Sequence, residues 1–337
     1  VPRASVTLAS IAFRNYQRSN HLFAIAPDKL PLPPARLNQI VLAGSILVIM
    51  RDLLLNRFRG ALRGAVLGEA VGMTTADFTW ADVRSGSWLQ AIDSLQASHW
   101  LMAAAQPLLI TSPNRSEEIA LALPLTALPA ALFFHDHPAQ LQQQIQHLTH
   151  RQLDSIEQAG VFAFSEAIAL ALREELLPRQ ILPHLSTAIA PLSLPLADQL
   201  TQVQTWLAAE ASLAAVERSI ASLPPSLATW ALTFYCWLST PADFNLALLR
   251  SQRGGPMVAA LVGALAGADL GVSSIAIDWW QPFTSSEAES GWGARLVAPI
   301  DRLAEQLLAA WAGADPFDQP DALAAWAIAS AGLIRPR

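Results

Sequence analysis

From Arg51 onward, apolar residues recur three and four positions apart along LLLNRFRGALRGAVL, AIDSLQASHWLMAAA, EEIALALPLTALPAALFF, VFAFSEAIALALREELL, LAAEASLAAVERSIASL, SLATWALTFYCWL and RLAEQLLAAWAG. That is the period of a helix with one buried face. No run of alternating β-branched residues competes with it, so the chain reads as an all-α fold. Prolines at 113, 124, 129, 138, 178, 183, 191, 195, 224, 225, 241, 256 and 282 punctuate the pattern. A proline starts, kinks or ends a helix, so they predict many helices of medium length. Two boundaries carry capping chemistry. Ser116 precedes Glu117-Glu118, and Thr240-Pro241-Ala242-Asp243 offers a capping hydroxyl, an N1 proline and an N3 acid before Phe244. Ser273-Ser274 and Trp279-Trp280 read as a helix end and turn, and TSSEAESGWGA at 284 to 294 as a polar loop.

Two helices stand out by what they lack. Gly263, Gly267 and Gly271 fall four apart in the stretch that follows the Gly254-Gly255-Pro256 turn. Gly60, Gly64, Gly68 and Gly72 repeat the spacing in RFRGALRGAVLGEAVG. A glycine inside a helix costs roughly 1 kcal/mol against alanine, so a stripe of them calls for the close approach of another backbone. The two stripes therefore predict a tight crossing of these two helices. Gly254-Gly255 reads as the entry loop of the second, with Pro256 at its first position, where the missing N–H costs nothing.

Residues 1–49 differ from the rest. They contain the Pro-rich break DKLPLPPARL and a short apolar run, IVLAGSILVI. A natural extension, a gene-start artefact and an extra packed helix all account for them. The expected organisation is an N-terminal extension over 1–49 and a single compact helical domain over 50–337. With 53% hydrophobic and 14% charged residues and a mean hydropathy of +0.33, the chain is apolar. A membrane span needs roughly 20 uninterrupted apolar residues, and the richest run, Met257 to Leu270, is shorter and carries Asp269. No span is expected. A net charge of −6 with a single lysine, Lys29, speaks against a nucleic-acid surface. One cysteine, Cys236, excludes an intramolecular disulfide and suits a reducing, cytoplasmic setting.

Four stretches, in order, resemble the ADP-ribosylglycohydrolase family, including the dinitrogenase-reductase-activating type, across residues 56–312. NRFRGALRGAVLGEAVG is similar to the opening helix, D-R-x-x-G-A-L-x-G-x-A-x-G-D-A-L-G. NRSEEIALALPLTALPAAL is similar to the middle segment around N-G-x-x-M-R-x-x-P, with LTHRQLDS resembling the T-H motif after it. SLPPSLATWALTFYCWLSTPADFNLALLRS resembles L-P-x-x-L-x-x-A-L-x-x-F-L…S-F-E-E-A-L, and RGGPMVAALVGALAGADLGVSSIAIDWW resembles G-G-D-x-D-T-x-A-A-I-A-G-A-L-A-G-A-x-x-G…I-P-x-x-W. The resemblance implies a single all-helical domain, a pair of divalent cations and hydrolysis of an ADP-ribosyl bond.

The departures fall on the chemistry. Where the resemblance implies metal-binding carboxylates and a hydroxyl, this chain has Pro256, Val258 and Ala259. No T-D-D run lies between Gly72 and Pro107; Asp77, Asp82 and Asp93 are isolated. The spacing of the catalytic Glu falls on Ala76, with Asp77 beside it, and Glu69 replaces the Asp of G-D-A-L-G. Glu69 and Asp77 are the weak catalytic candidates, and a buried structural carboxylate accounts for Glu69 equally well. The Arg of the middle segment is also missing, since Leu121-Ala122 precede Leu123-Pro124. Mg²⁺ requires oxygen ligands in near-octahedral array. Without such a pair a glycosidic hydrolase loses positioning and charge stabilisation.

Other constellations are thin. His135, His137, His147 and His150 cluster in FFHDHPAQLQQQIQHLTHRQ without a recognised zinc spacing, and a solvated hairpin explains them. There is no G-x-S-x-G elbow and no phosphate-binding glycine pattern after a strand. Trp230, Trp237, Trp279, Trp280 and Trp311 lie in apolar helical context, as core residues do. A helix N-terminus at Gly254-Gly255, flanked by Arg250 and Arg253, suits a phosphate, so an ADP-ribose or nucleotide-like ligand stays open. The favoured expectation is a catalytically inactive, metal-free relative that binds a protein partner as a scaffold. The alternative is an active, Mg²⁺-dependent hydrolase that removes ADP-ribose from protein side chains. An active enzyme requires several oxygens converging beside Pro256, and a scaffold requires an apolar or closed former cleft.

Overall fold

The computed structural model describes residues 34–74, 97–109, 124–150, 153–175, 179–284 and 292–313. Their secondary structure is helical, with no strand among the described residues. In chain order the helices are α1 (Pro34–Gly72), α2 (Ala97–Leu109), α3 (Leu128–Phe133, after a 3-10 turn at Pro124–Ala127), α4 (Pro138–Thr149), α5 (Ser155–Leu172), α6 (Ile181–Ile189), α7 (Leu194–Ala208), α8 (Leu213–Ile220), α9 (Pro225–Leu238), α10 (Phe244–Ser251), α11 (Gly255–Leu270), α12 (Ile277–Thr284) and α13 (Trp292–Trp311). The proline punctuation holds: α3, α4, α7, α9 and α11 each carry Pro in the first two positions. Contacts divide the chain into a unit over Leu55–Leu308 and a unit formed by Val1–Leu54 with Ala309–Arg337. α1 is continuous through Met50, the expected domain boundary.

Within Leu55–Leu308, α11 is central. It packs against α5, α9 and α10, while α5 also packs against α3, α4 and α6. The fully buried aromatics Trp230, Trp237, Tyr235, Phe164, Phe234 and Phe244 fill the space between these helices. α5 begins at Asp154, whose carboxylate accepts from Ile156 N and Glu157 N, both at 2.9 Å. Gly160 lies under the Trp230 indole, where a Cβ would collide with the ring. The indole nitrogen donates to Glu157 Oε2 at 3.2 Å, and burial pushes the Glu157 carboxyl above its usual range. By length and composition α5 is the one described helix apolar enough to cross a membrane; 72% of it is buried within the protein, as in a core helix.

The predicted crossing of the two glycine stripes is present, and it is antiparallel. A Cβ built on Gly60 would collide with Gly267 O, on Gly64 with Gly263 O, on Gly68 with Ala259 O, and on Gly72 with the backbone of Gly255 and Pro256. Side-chain-free positions therefore meet backbone along α1 from Gly60 to Gly72. The other flank of α1 is polar. Arg63 grips Asp301 of α13 through Nε–Oδ1 at 2.8 Å and Nη2–Oδ2 at 2.5 Å, and its guanidinium lies 4.6 Å from the Trp280 ring centroid. Arg59 pairs with Glu305 one turn further along α13.

Three local expectations are corrected. LAAEASLAAVERSIASL is broken between α7 and α8, because Glu210 takes φ 48 and Ser212 caps α8 by accepting from Ala215 N at 3.3 Å. Thr240 does not cap α10. Its hydroxyl donates back to Cys236 O at 3.2 Å, and the Asp243 carboxylate accepts from Leu246 N at 3.0 Å in its place. Trp279 and Trp280 lie inside α12 instead of a turn, both buried. Ser116 and most of the polar loop at 284–294 lie outside the described residues.

Candidate functional site

The site implied by the sequence lies where the C-terminus of α1 meets the N-terminus of α11. A 3-10 turn, Gln252–Gly254, leads into α11, and Gly255 has φ 83, a conformation that side chains avoid. Nothing lies within 4 Å of where a Gly255 Cβ would stand, whereas a Cβ on Gly254 would sit 2.7 Å from Val258 and 2.8 Å from Leu232. Gly254 thus admits close packing and Gly255 admits the turn.

Two of the three positions in question are packed and apolar. Val258 is 2% exposed and Ala259 is fully buried, with its carbonyl beneath Gly68. Pro256 is exposed. None of the three carries a side-chain oxygen, so this turn does not fit a divalent cation, which needs hard oxygen donors. Gly72 closes onto Gly255 and Pro256 from the α1 side. The carboxylate that α1 brings to this end is Glu69, 3% exposed in its last turn. Asp77, with Asp82 and Asp93, lies outside the described residues.

The two candidate arginines are turned to neighbouring helices. Arg250 Nη2 donates to the Tyr235 hydroxyl at 3.0 Å, and its guanidinium lies 5.6 Å from the Tyr235 ring centroid. Tyr235 in turn donates to Ala211 O, so Arg250 ties α10 to α9 and to the turn before α8. Arg253 is 58% exposed and reaches Glu217 of α8 at 3.5 Å. Gly254, Gly255, Arg250 and Arg253 are therefore neighbours along the chain, with Arg250 Nη2 engaged by Tyr235 and Arg253 mostly exposed.

Gln252 and Thr74 escaped the sequence reading. Gln252 is 8% exposed, and its Nε2 donates to Thr74 Oγ1 at 2.7 Å. No spacing or motif joins two polar residues 178 positions apart. The only signal is that both lie at ends of the glycine-striped helices.

The histidines separate. His135 is 4% exposed, donates from Nδ1 to Leu132 O at 2.7 Å and meets Phe58 edge-on, and burial lowers its pKa. His147 and His150 are exposed, and His137 faces Asp136 at 3.5 Å. Among the described residues no three of His, Cys, Asp or Glu gather as metal ligands would. The Cys236 thiol is fully buried and pushed up to about 12, so it stays protonated.

The family model for ADP-ribosylglycohydrolase matches residues 120–316, which include α11 and the turn that precedes it but not the glycine stripe of α1. Among curated proteins none matches. The family match spans more than half of the 337 residues and agrees with an all-helical fold. The chain belongs to the ADP-ribosylglycohydrolase family.

Proposed function

We propose that this member of the ADP-ribosylglycohydrolase family does not hydrolyse glycosidic bonds and acts as a binding or scaffold protein. The observation that carries this reading is the turn at 256–259. Its side chains are proline, methionine, valine and alanine, and Val258 and Ala259 are buried in apolar packing. Such a turn offers a cation only backbone carbonyls, and that of Ala259 already abuts α1. Catalysis through a metal pair requires charged oxygens that orient substrate and generate the nucleophile.

Isothermal titration of the 337-residue chain with ADP-ribose, with and without Mg²⁺, tests this, alongside an assay for ADP-ribose release from modified protein. The expected result is no release and no Mg²⁺-dependent affinity. Metal-independent binding of ADP-ribose identifies the ligand-sensing form of the proposal, and no binding directs attention to a protein partner. Affinity that rises sharply with Mg²⁺, together with release of ADP-ribose, would overturn the proposal in favour of an active hydrolase.

A further inference from the structure

The outward face of α4 is built from two residue types. Gln143, Gln146, His147 and His150 fall at positions i, i+3, i+4 and i+7, so one side of the helix holds all four, and each is exposed. The helical path runs through the last of them. His150 closes α4 with φ −53 and ψ −31, and its N–H donates to Gln146 O at 2.9 Å. His147 and His150 therefore stand one turn apart, a spacing that sets Cβ atoms about 5–6 Å from each other. Leu141, Ile145 and Thr149 on the opposite face are buried, which fixes the rotation of the helix and keeps the histidine face turned outward. That face carries no fixed charge, since α4 contains no lysine, arginine, aspartate or glutamate. Unlike His137, which faces Asp136 at 3.5 Å, neither imidazole is paired with a described residue.

From this geometry we infer that His147 and His150 form a bidentate site for a divalent transition-metal cation. Imidazole nitrogen suits Cu²⁺, Ni²⁺ and Zn²⁺, with Cu²⁺ held most tightly in the general order of affinities, whereas Mg²⁺ and Ca²⁺ need several oxygen ligands. Each ring gives the cation one nitrogen lone pair. Water and the amide oxygens of Gln143 and Gln146 are available to its remaining positions. Both histidines stand at the C-terminal end of α4, where the helix macrodipole favours positive charge. Two protein ligands leave the coordination sphere open, in contrast to the four of a structural zinc site. The site draws no residue from the turn at Gly254-Gly255, so it stands whether or not the protein hydrolyses ADP-ribosyl bonds.

Isothermal titration of the 337-residue chain with Cu²⁺, in buffer containing glycine as a competing chelator, tests this together with electron paramagnetic resonance of the bound ion. The expected result is one equivalent held against the competitor, with nitrogen hyperfine structure in its spectrum. His147→Ala and His150→Ala each weaken that equivalent about tenfold or more, because each removes the chelate. His137→Ala, at the other end of α4, leaves it unchanged. Register supplies the sharper check. In the His150→Ala background, Gln143→His returns an imidazole to the same face, four residues before His147, and restores the affinity. Gln142→His, on a different side of the helix, does not. All these positions are exposed, and unchanged far-ultraviolet circular dichroism verifies that the variants fold. Binding that neither single alanine variant weakens would mean an adventitious ion only and overturn the inference. So would the lack of a competitor-resistant equivalent in the wild type, or rescue by Gln142→His equal to that by Gln143→His.

Discussion

Val258 and Asp269 show how burial sets the character of single positions on α11. Val258 is 2% exposed and packs against Gly254. Replacing it with Asp places an unpaired carboxylate in an apolar pocket. The expected loss of stability is about 3–5 kcal/mol, read from denaturant unfolding, and Mg²⁺ should not restore it. Recovery of stability by Mg²⁺ would mean that the turn can still organise a cation. At the other end of the helix, burial raises the pKa of Asp269, with the Arg57 guanidinium opposing the shift. The folded state therefore holds this proton more tightly than the unfolded chain. The ionised carboxylate costs stability once pH exceeds its ordinary value of 3.8, and the cost is complete above the raised folded pKa. Asp269→Asn is accordingly expected to be more stable than wild type at neutral pH. That gain should shrink toward nothing as pH falls to 3.8 and below, which thermal melts across the range would measure. A gain that grew in acid would contradict the desolvation argument.

At the scale of elements, the pairing of α1 with α11 was legible from the chain alone. Two stripes of glycine at a spacing of four have one economical explanation, and the structure supplies it. Gly64→Ala is expected to cost about 2–3 kcal/mol, because the new methyl meets the backbone of Gly263, which cannot rotate aside. Gly255→Ala, at φ 83 with open space around it, should cost only about 1–2 kcal/mol of backbone strain. Chemical denaturation of the two variants checks the ranking, and equal costs would mean the crossing is looser than its geometry. Other boundaries were not legible. Thr240 and Asp243 are both good caps, and their roles were decided by where α9 ended, since Thr240 is committed to Cys236 O. The alanine-rich run across α7 and α8 carries a helical period through Glu210, and only the left-handed backbone there breaks it. The Gln252–Thr74 contact could not be read at all, because it depends on tertiary approach and leaves no periodic trace.

Across the whole molecule, scaffold and chemistry come apart. The all-helical fold and the match over residues 120–316 identify the family. The turn at 256–259, on which our proposal of a non-hydrolytic member rests, carries apolar side chains. This is physically coherent, since a helical core depends on periodic apolar burial and close glycine contacts, neither of which requires the carboxylates of a cleft. The sequence was informative about fold for the same reason that it was nearly silent about ligand: periodicity is repeated many times over, whereas a site depends on a few positions. Arg250 illustrates the point. Its place four residues before Gly254 suggests an anion site, yet its guanidinium is held by Tyr235 of α9.

The glycine crossing has a mechanical corollary. Helices kept in register by bulky side chains can shift as rotamers exchange, but here the contact is backbone against backbone, and Gly60, Gly64, Gly263 and Gly267 are each followed by a buried alanine. Translation by a single residue would set a methyl or larger group against a carbonyl, so α1 and α11 cannot glide past one another in small steps. The pair behaves as a fixed axle. The expected consequence is that the glycine-striped part of α1 and α11 move together, as one body.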